Sequence, residues 1–286
     1  MKADMKLVIF GAGLIGGSFA LALKEAKAVR NVTGFGRSDV TLQQAKALGI
    51  IDSIGGDLRE VADADLVLLA VPVGQMADIM TRIAPHLGKN TLITDGGSTK
   101  ADVVLHAREC LGAHLSGFVP AHPIAGGENS GPLAARVDLF QGKKVVMTPL
   151  PENLPDAIAR IKAAWEACGA TVTEMTPDEH DAVFAAVSHL PHLLSFALVH
   201  DLAGRKNRDL LLSFAASGFR DFTRIAGSSP EMWTDICLAN RDALLTELGH
   251  YMQELETLHE ALAQGDANKL EEIFSLAHAV RSVWKP

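Results

Sequence analysis

The chain has 286 residues, 48% of them hydrophobic and 21% charged, and its formal net charge is −8. This length predicts about two domains, and the composition is typical of a soluble globular protein with a sizeable core. The negative charge argues against a nucleic-acid partner, because phosphate binding needs a basic face, and no uninterrupted apolar run reaches the ~18 residues of a membrane span.

The three cysteines lie far apart in the sequence, at Cys110, Cys168 and Cys237. They form no CxxC pair and no disulfide framework, so we expect reduced thiols. The chain begins directly with a strand pattern and lacks the basic, apolar and cleavage regions of a signal peptide. These features predict a cytoplasmic protein.

The first 175 residues alternate between strand and helix patterns. Strands are predicted at 6–10, 31–35, 64–71, 91–95, 116–119, 144–149 and 171–175. Helices are predicted between the first of these, at 17–28, 41–48, 75–87 and 100–111. The continuous apolar run ADLVLLAV (64–71) is typical of a strand buried on both faces. The alternation predicts the α/β fold class, with a doubly wound, mostly parallel sheet.

The pattern changes to helix alone beyond residue 176. Thr176, Pro177 and Glu179 form a helix start, with a capping threonine, a proline in the first turn and a glutamate three residues after the cap. Leucines then recur at helical spacing from 244 to 262, and Gly265 ends that helix. We predict domains at 1–176 and 177–286, the second all-helical. Its apolar content predicts a homodimer packed through these helices, with a large monomer core as the alternative.

A glycine-rich turn follows the first strand and opens the first helix. Gly11, Gly13 and Gly16 have the spacing GxGxxG, with Leu14 and Ile15 at the helix start. The first glycine permits the tight turn, the second lets backbone approach a pyrophosphate, and the third lets the helix pack on the strand. The free N–H groups of the helix N-terminus favour an anion. The turn therefore predicts a Rossmann dinucleotide-binding domain.

The residues after the second strand indicate which dinucleotide binds. A carboxylate is expected there for the ribose diol of NAD, but the chain has Gly36, Arg37 and Ser38, and Asp39 comes slightly late. An arginine and a hydroxyl suit a 2′-phosphate. We therefore predict that NADP is preferred, with NAD as the alternative cofactor.

Two further strands end in residues that should lie at the same edge of the sheet. Val71 and Pro72 follow one strand, and we expect them beside a cofactor ribose. Asp95 ends the next strand and is predicted to bind cofactor as well. Ser98 follows it at a predicted helix start, where its hydroxyl would either meet an anion or only cap the helix.

His122 occupies a stiff loop, PAHPIAGGENSG (120–131). Pro123 fixes the backbone behind it, and Gly126 and Gly127 allow a sharp return. The predicted strand before it ends near Val119, which would put the imidazole at the same rim as the glycine-rich turn. A histidine there suits a general base for an alcohol that is being oxidised. The alternative is a histidine that is only hydrogen-bonded within a loop.

The helical half offers two more candidate groups. His189 and His192 are three residues apart and share a helix face, and Pro191 should kink the helix. This pair would bind substrate, bind a metal or lie in the core. Arg220 and Arg224 share a face amid apolar residues, where an arginine needs an anionic partner such as Asp221 or a substrate carboxylate.

Five motifs in series resemble the prephenate/arogenate dehydrogenase family over nearly the whole chain. They are GAGLIGGS (11–18), DGGSTK (95–100), AHPIAGGENSG (121–131), SHLPH (188–192) and FRDFTRIAGSSPEMW (219–233). The resemblance implies a Rossmann domain and a helical dimerisation domain, with the active site between them. It also implies NAD(P)-dependent oxidative decarboxylation of a small anionic substrate, prephenate or arogenate, in tyrosine biosynthesis.

The resemblance also implies roles for single residues. His122 matches the catalytic histidine that bonds the ring hydroxyl, Ser98 a serine that orients both, and Arg224 the arginine that binds the ring carboxylate. The remaining matches support the substrate pocket. They are His192 near the substrate side chain, Glu128 at a gated entrance, and His189 and Trp233 behind the pocket. The missing acid after the second strand departs from many NAD-using relatives.

Two other functions compete with this interpretation. A β-hydroxyacid or 6-phosphogluconate-type dehydrogenase joins similar domains but uses a lysine of the helical domain as acid and base. Here that domain has only Lys206, Lys269 and Lys285, none in a promising setting. A non-catalytic NADP-sensing regulator would keep the glycine-rich turn but leave the histidines and Arg224 without a role.

Overall fold

The computed structural model describes residues 4–127 and 129–284. The chain forms two compact units, Met1–Arg241 and Asp242–Pro286. The first unit contains both sheets and ten helices of the described chain. The predicted division at residue 176 stays a prediction.

Five parallel strands form the first sheet, in the order β3-β2-β1-β4-β5. The strands are β1 (Met5–Phe10), β2 (Val29–Phe35), β3 (Ser53–Ile54), β4 (Leu66–Leu69) and β5 (Leu92–Asp95). The connecting helices are α1 (Leu14–Glu25), α2 (Asp39–Ala47), α3 (Met76–Ile83) and α4 (Ala101–Cys110). The chain moves outward from β1 in one direction and then returns to β4, so the strand order reverses between β1 and β4. Ligands bind at such a switch point, outside the carboxyl ends of the strands.

Side chains from both faces of this sheet are buried, as continuous apolar strands require. One face packs on α1 and α5 (Pro155–Ala167), where Phe19 and Trp165 meet edge to face at 4.6 Å. The other face packs on α3 and α4, through Met76, Met80 and Val103. The predicted α/β, doubly wound architecture is confirmed.

A second, three-stranded sheet carries the loop histidine. Its strands are β6 (Ala121–Pro123), β7 (Lys144–Met147) and β8 (Thr171–Glu174), and β6 is antiparallel to β7. The strand predicted at 116–119 is wrong. A 3₁₀ turn, Gly112–Gly117, occupies its first half, and Pro120 lacks the N–H to continue a ladder. His122 therefore lies within a strand, opposite Val146, and not after one.

The rest of the chain is helical, as predicted. The helices are α6 (Pro177–Phe184), α7 (Leu190–Ala203), α8 (Arg208–Ser213), α9 (Ser217–Thr223), α10 (Pro230–Ala239), α11 (Arg241–Gln264) and α12 (Ala267–Val283). The predicted capping box is present, since the Thr176 hydroxyl accepts from the Glu179 N–H at 3.2 Å and the Glu179 carboxylate accepts from the Thr176 N–H at 2.9 Å. Gly265 follows α11 with φ +67°, as expected of a glycine that ends a helix.

A π-helical turn, Ala185–His189, joins α6 to α7 and ends two residues before Pro191. The predicted disturbance therefore takes the form of a wider turn, which is frequent at functional sites. The whole run 177–203 is long and apolar enough to cross a bilayer by length and composition alone, a test that internal helices also pass. Its buried polar residues, His180, Asp181 and His189, bond inside the protein, as expected of an internal helix.

Candidate active site

A cleft of about 660 Å³ opens at the carboxyl ends of β1, β2 and β4. We call it the glycine-loop cleft. Seven of the residues predicted to bind cofactor line it: Gly11, Gly13, Gly36, Arg37, Ser38, Val71 and Pro72. Sequence reasoning missed other lining residues, notably Thr41, Gln75, Asp78 and Arg82. The cleft is therefore assembled from three turns at one edge of the sheet, as the strand pattern predicts.

The absence of a side chain has a different steric consequence at each of the three glycines of the turn. Gly11 has φ +95°, and a Cβ there would lie 2.2 Å from the Ala70 carbonyl oxygen. A Cβ on Gly16 would lie 2.1 Å from the Gly11 carbonyl oxygen, so only glycine lets α1 pack so close to the turn. At Gly13 nothing comes nearer than 4.0 Å. That space, beside the uncapped N-terminus of α1, fits the pyrophosphate of a dinucleotide.

Arg37 is an exposed cation of the cleft, as is Arg82. Its guanidinium lies 3.3 Å from the Glu231 carboxylate, and both side chains are more than half exposed. It also donates to the Gln75 amide at 3.2 Å when the amide oxygen faces it. Ser38 caps α2, because its hydroxyl accepts from the Thr41 N–H at 3.3 Å. A 2′-phosphate would therefore meet a cation and a helix N-terminus here.

Four residues predicted to bind cofactor do not line the cleft: Leu14, Ile15, Gly16 and Asp95. Asp95 is fully buried and ion-paired with the fully buried Lys100. Its two carboxylate oxygens also accept from the Ala121 N–H at 3.0 Å and the Gly97 N–H at 2.8 Å. The carboxylate thus ties β5 to the start of β6, which is a structural use of the residue.

The His122 strand lies close to the glycine-rich turn. A Cβ on Gly96 would lie 3.1 Å from Ile15 and 3.8 Å from Pro123, so the start of α1 and the end of β6 share one neighbour. The loop after β6 also passes the turn, with Gly127 3.6 Å from Leu14 by the same measure. His122 therefore lies near the start of α1. It does so as part of strand β6, and not as a loop residue that follows a strand at 116–119.

His122 belongs to a hydrogen-bonded chain that sequence reasoning missed. Its Nδ1 lies 2.8 Å from His180 Nε2, and His180 Nδ1 lies 2.7 Å from the Asp181 carboxylate. That carboxylate also accepts from the N–H groups of Lys100 and Ala101, both at 2.8 Å. His180 is fully buried and Asp181 is 4% exposed. We call His122, His180, Asp181 and His189 the buried histidine cluster.

The cluster holds its histidines neutral. Burial, with Lys100 and His180 nearby, keeps the pKa of His122 well below its usual range. Burial lowers the pKa of His180 despite its bond to Asp181. Burial alone would raise the pKa of Asp181, but the hydrogen bonds from His180 and the two backbone N–H groups bring it below its ordinary value. The result is an ionised carboxylate behind two neutral imidazoles.

Ser98 lies between β5 and α4 and does not cap that helix. The helix begins at Ala101, and its first N–H groups are capped from α6 by Asp181. Ser98 is half-buried, and a hydrogen bond to its backbone offsets only a small part of the burial that lowers the pKa of His189. Helix capping by Ser98 is therefore wrong, and the serine borders the cluster.

His189 and His192 do not share one environment. His189 is 1% exposed, accepts from the Asn240 amide at 3.0 Å on Nδ1, and has its pKa lowered by burial to about 4. His192 is half-buried, donates from Nδ1 to the Ser188 carbonyl at 2.9 Å and stacks on Trp233 with ring centroids 3.7 Å apart. Burial and then Arg224 lower the pKa of His192, so Arg224 stands close to it.

The structure also places the two predicted arginines. Arg224 is exposed and begins the short 3₁₀ turn after α9. Arg220 pairs with Asp221 at 3.3 Å, as the sequence allowed. Glu128, predicted at the pocket entrance, lies outside the described residues. Among residues 4–127 and 129–284, no three His, Cys, Asp or Glu side chains are grouped so as to hold a metal ion.

Family models match almost the entire chain. The model described as prephenate dehydrogenase, nucleotide-binding domain, matches residues 19–174. The model described as prephenate dehydrogenase, dimerization domain, matches residues 176–276. Together they reach from α1 into α12.

Individual proteins are similar over comparable lengths. A cyclohexadienyl dehydrogenase of Zymomonas mobilis is 38% identical over 100% of this chain and 98% of its own. A prephenate dehydrogenase of Bacillus subtilis is 37% identical over 96% of this chain and 75% of its own. A crystal structure of prephenate dehydrogenase from Aquifex aeolicus with hydroxyphenyl propionate and NAD+ has a TM-score of 0.91 and 33% identity, covering 99% of both chains. The structure of Synechocystis arogenate dehydrogenase has a TM-score of 0.81 and 30% identity, covering 97% of this chain and 99% of its own.

Proposed function

The chain belongs to the prephenate dehydrogenase family, and from this premise we propose that it oxidatively decarboxylates prephenate, arogenate or both. It is an NAD(P)-dependent dehydrogenase of tyrosine biosynthesis. The observation that carries the proposal is the neutral, partly buried His122 beside the start of α1. A base in that position can meet the hydroxyl of a substrate whose carbinol carbon faces the cofactor.

His122 takes the proton of the ring hydroxyl in this proposal. The glycine-rich turn, with Gly11, Gly13 and Gly16, would hold NAD(P), which when bound would supply the acceptor for the hydride of the same carbon. The ring carboxylate then leaves as carbon dioxide, and its bonding electrons complete an aromatic ring. Loss of carbon dioxide makes the reaction effectively irreversible. Ser98 orients the hydroxyl at the edge of the cluster.

The helical residues bind the rest of the substrate. Arg224 binds the ring carboxylate, because a guanidinium matches a carboxylate in geometry and charge. His192, stacked on Trp233 and close to Arg224, faces the substrate side chain. Its Nδ1 is used by Ser188, which leaves Nε2 for the substrate. His189 supports the pocket, and we assign Glu128, which lies outside the described residues, the role at the pocket entrance that the family resemblance implies.

NADP is the preferred cofactor in this proposal. The exposed Arg37 and the N-terminus of α2 support it, since both favour a 2′-phosphate. The preference can be reversed at Gly36, where a Cβ would meet Leu42 at 3.5 Å, an ordinary contact. Gly36→Asp should lower the KM for NAD and raise the KM for NADP. An unchanged ratio would contradict the preference.

The protein works as a homodimer through its helical domain, residues 177–286. The match to a dimerization domain supports this, and α11 and α12 expose large apolar side chains. Those side chains include Met252, Leu255, Leu262, Phe274 and Val280, and Trp284, directly after α12, is exposed as well. Three free cysteines fit a reducing, cytoplasmic location. Light scattering that gives a single-chain mass would contradict the dimer.

The function is tested by spectrophotometric detection of reduced cofactor. Prephenate and arogenate are each assayed with NADP and with NAD. We expect turnover in at least one of the four combinations, and the fastest identifies both preferences. Folded protein that binds NADP but turns over neither substrate would contradict the proposal.

A further inference from the structure

We propose that His180 is a positioning residue that fixes His122 in the one tautomer able to accept a proton at Nε2, and that Asp181 fixes His180 in turn. The inference rests on the proposed role of His122 as the base. Neither His180 nor Asp181 lines the glycine-loop cleft.

The direction of each hydrogen bond is set from the carboxylate end. An ionised carboxylate only accepts, and Asp181 already accepts from two backbone N–H groups at 2.8 Å. His180 must therefore carry its proton on Nδ1, which lies 2.7 Å from that carboxylate. A neutral imidazole with a protonated Nδ1 has a lone pair on Nε2. His180 Nε2 is consequently the acceptor of the next bond.

The second bond then fixes His122. His180 Nε2 lies 2.8 Å from His122 Nδ1, so His122 donates from Nδ1. Neutral His122 is left with its lone pair on Nε2, the form that a general base requires. Without this bond the two tautomers of His122 would compete, and the one with a protonated Nε2 cannot accept the substrate proton.

The rings are also held mechanically. Phe184 packs on both, with ring centroids 4.9 Å from His122 and 4.5 Å from His180. Asp181 cannot turn away without uncapping α4, because it bonds the first N–H groups of that helix. The other charged or titratable groups that face His122 are Lys100 and His189. The ammonium group of Lys100 is paired with Asp95. An ammonium group only donates hydrogen bonds, so Lys100 cannot replace His180 as the acceptor of the bond from His122 Nδ1.

A matched pair of substitutions separates positioning from simple packing. In His180→Leu the acceptor is lost and the volume is nearly kept. In His180→Gln the side-chain oxygen can still accept from His122 Nδ1. His106→Leu, at a half-buried histidine of α4 whose Nδ1 lies 3.6 Å from the Glu109 carboxylate, is the control for losing a histidine.

We expect His180→Leu to lower kcat by roughly 10²-fold, within the usual worth of a well-placed base, while KM for substrate changes little. His180→Gln should recover most of this loss, and His106→Leu should leave kcat unchanged. A packing role predicts instead that the Leu and Gln variants are equally impaired. That result would overturn the proposal.

A second measurement needs neither a substrate nor a variant. Nitrogen NMR of the protein labelled at histidine nitrogens reports which ring nitrogen of His122 carries hydrogen. We expect Nδ1–H in the wild-type protein near neutral pH. Nε2–H there would overturn the positioning role, whatever the substrate proves to be. Nδ1–H in a protein that turns over neither prephenate nor arogenate would instead place the error in the proposed function.

Discussion

The glycine-loop cleft and the buried histidine cluster have different tasks and are built from different chemical groups. The cleft is open to water and is formed largely by backbone turns and exposed cations, such as Arg37. The cluster is largely buried, since His180, Asp181 and His189 are at most 4% exposed and His122 is half-buried, and its histidines are held neutral mainly by that burial. A cofactor phosphate can be bound in water by dipoles and charges, but a proton acceptor must be held in one tautomer and be unprotonated at the working pH. Perturbation of the cluster should therefore change rate, and perturbation of the cleft should change affinity.

Removal of the base is the severest test of this comparison. His122→Asn should lower kcat by roughly 10²–10⁴-fold, because a positioned base contributes about that much. KM for the cofactor should change little, since the glycine-loop cleft is not altered. Steady-state assays with titration of NADP binding separate the two effects, and a near-wild-type kcat would remove His122 from the mechanism.

Acid should destabilise the buried histidine cluster. The pKa of His189 is about 4 when folded, against an ordinary 6.5, so only the unfolded state takes up this proton between those values. Stability is then complete above pH 6.5 and falls as pH drops toward 4, by about 3 kcal/mol in all for this residue. Urea unfolding at pH 5 and pH 7 measures the loss.

His189→Asn is the matched variant for that measurement. It removes one titrating group, so the fall in unfolding free energy between pH 7 and pH 5 should become shallower by one proton. The other buried histidines keep part of the slope. An unchanged slope would mean that His189 does not stay neutral in the folded protein.

Arg224 combines features of the two sites, since it is exposed like the cleft residues but lies close to His192, which stacks on Trp233. Arg224→Ala should raise KM for substrate by roughly 10- to 100-fold, the effect of losing about 1.5–3 kcal/mol in a hydrogen bond to a charged group. kcat should fall less than KM rises. Arg220→Ala is the control, because Arg220 pairs with Asp221 on the surface. Equal effects of the two variants would contradict the assignment of Arg224.

The smallest effect is expected in the cleft. Arg37→Ala should raise KM for NADP about fivefold, since an exposed ion pair is worth about 1 kcal/mol or less. KM for NAD should stay the same, because NAD has no 2′-phosphate. An unchanged KM for NADP would show that the exposed guanidinium does not contact the cofactor.

The same contrast explains what could be predicted from the sequence. The cleft depends on local signals, so short motifs suffice to predict that Gly11, Gly13 and Arg37 lie together, as their place in the lining of the cleft shows. The cluster joins His122 to His180 across 58 residues, and no spacing rule connects them. The capping box at Thr176 was predicted, but the direction in which His180 and Asp181 point depends on how α6 packs against α4. Asp95 was misjudged for a related reason, because its partner Lys100 is buried by tertiary packing alone.

The pH dependence of kcat/KM tests the central claim most directly, since that claim is a neutral base kept neutral by burial. Measured with the fastest substrate and cofactor, kcat/KM should stay level from pH 8 down through 6.5. Its acid limb should lie well below 6.5, because the pKa of His122 is lowered by burial and by the neighbouring His180 and Lys100. An acid limb at or above 6.5 that disappears in His122→Asn would contradict the account.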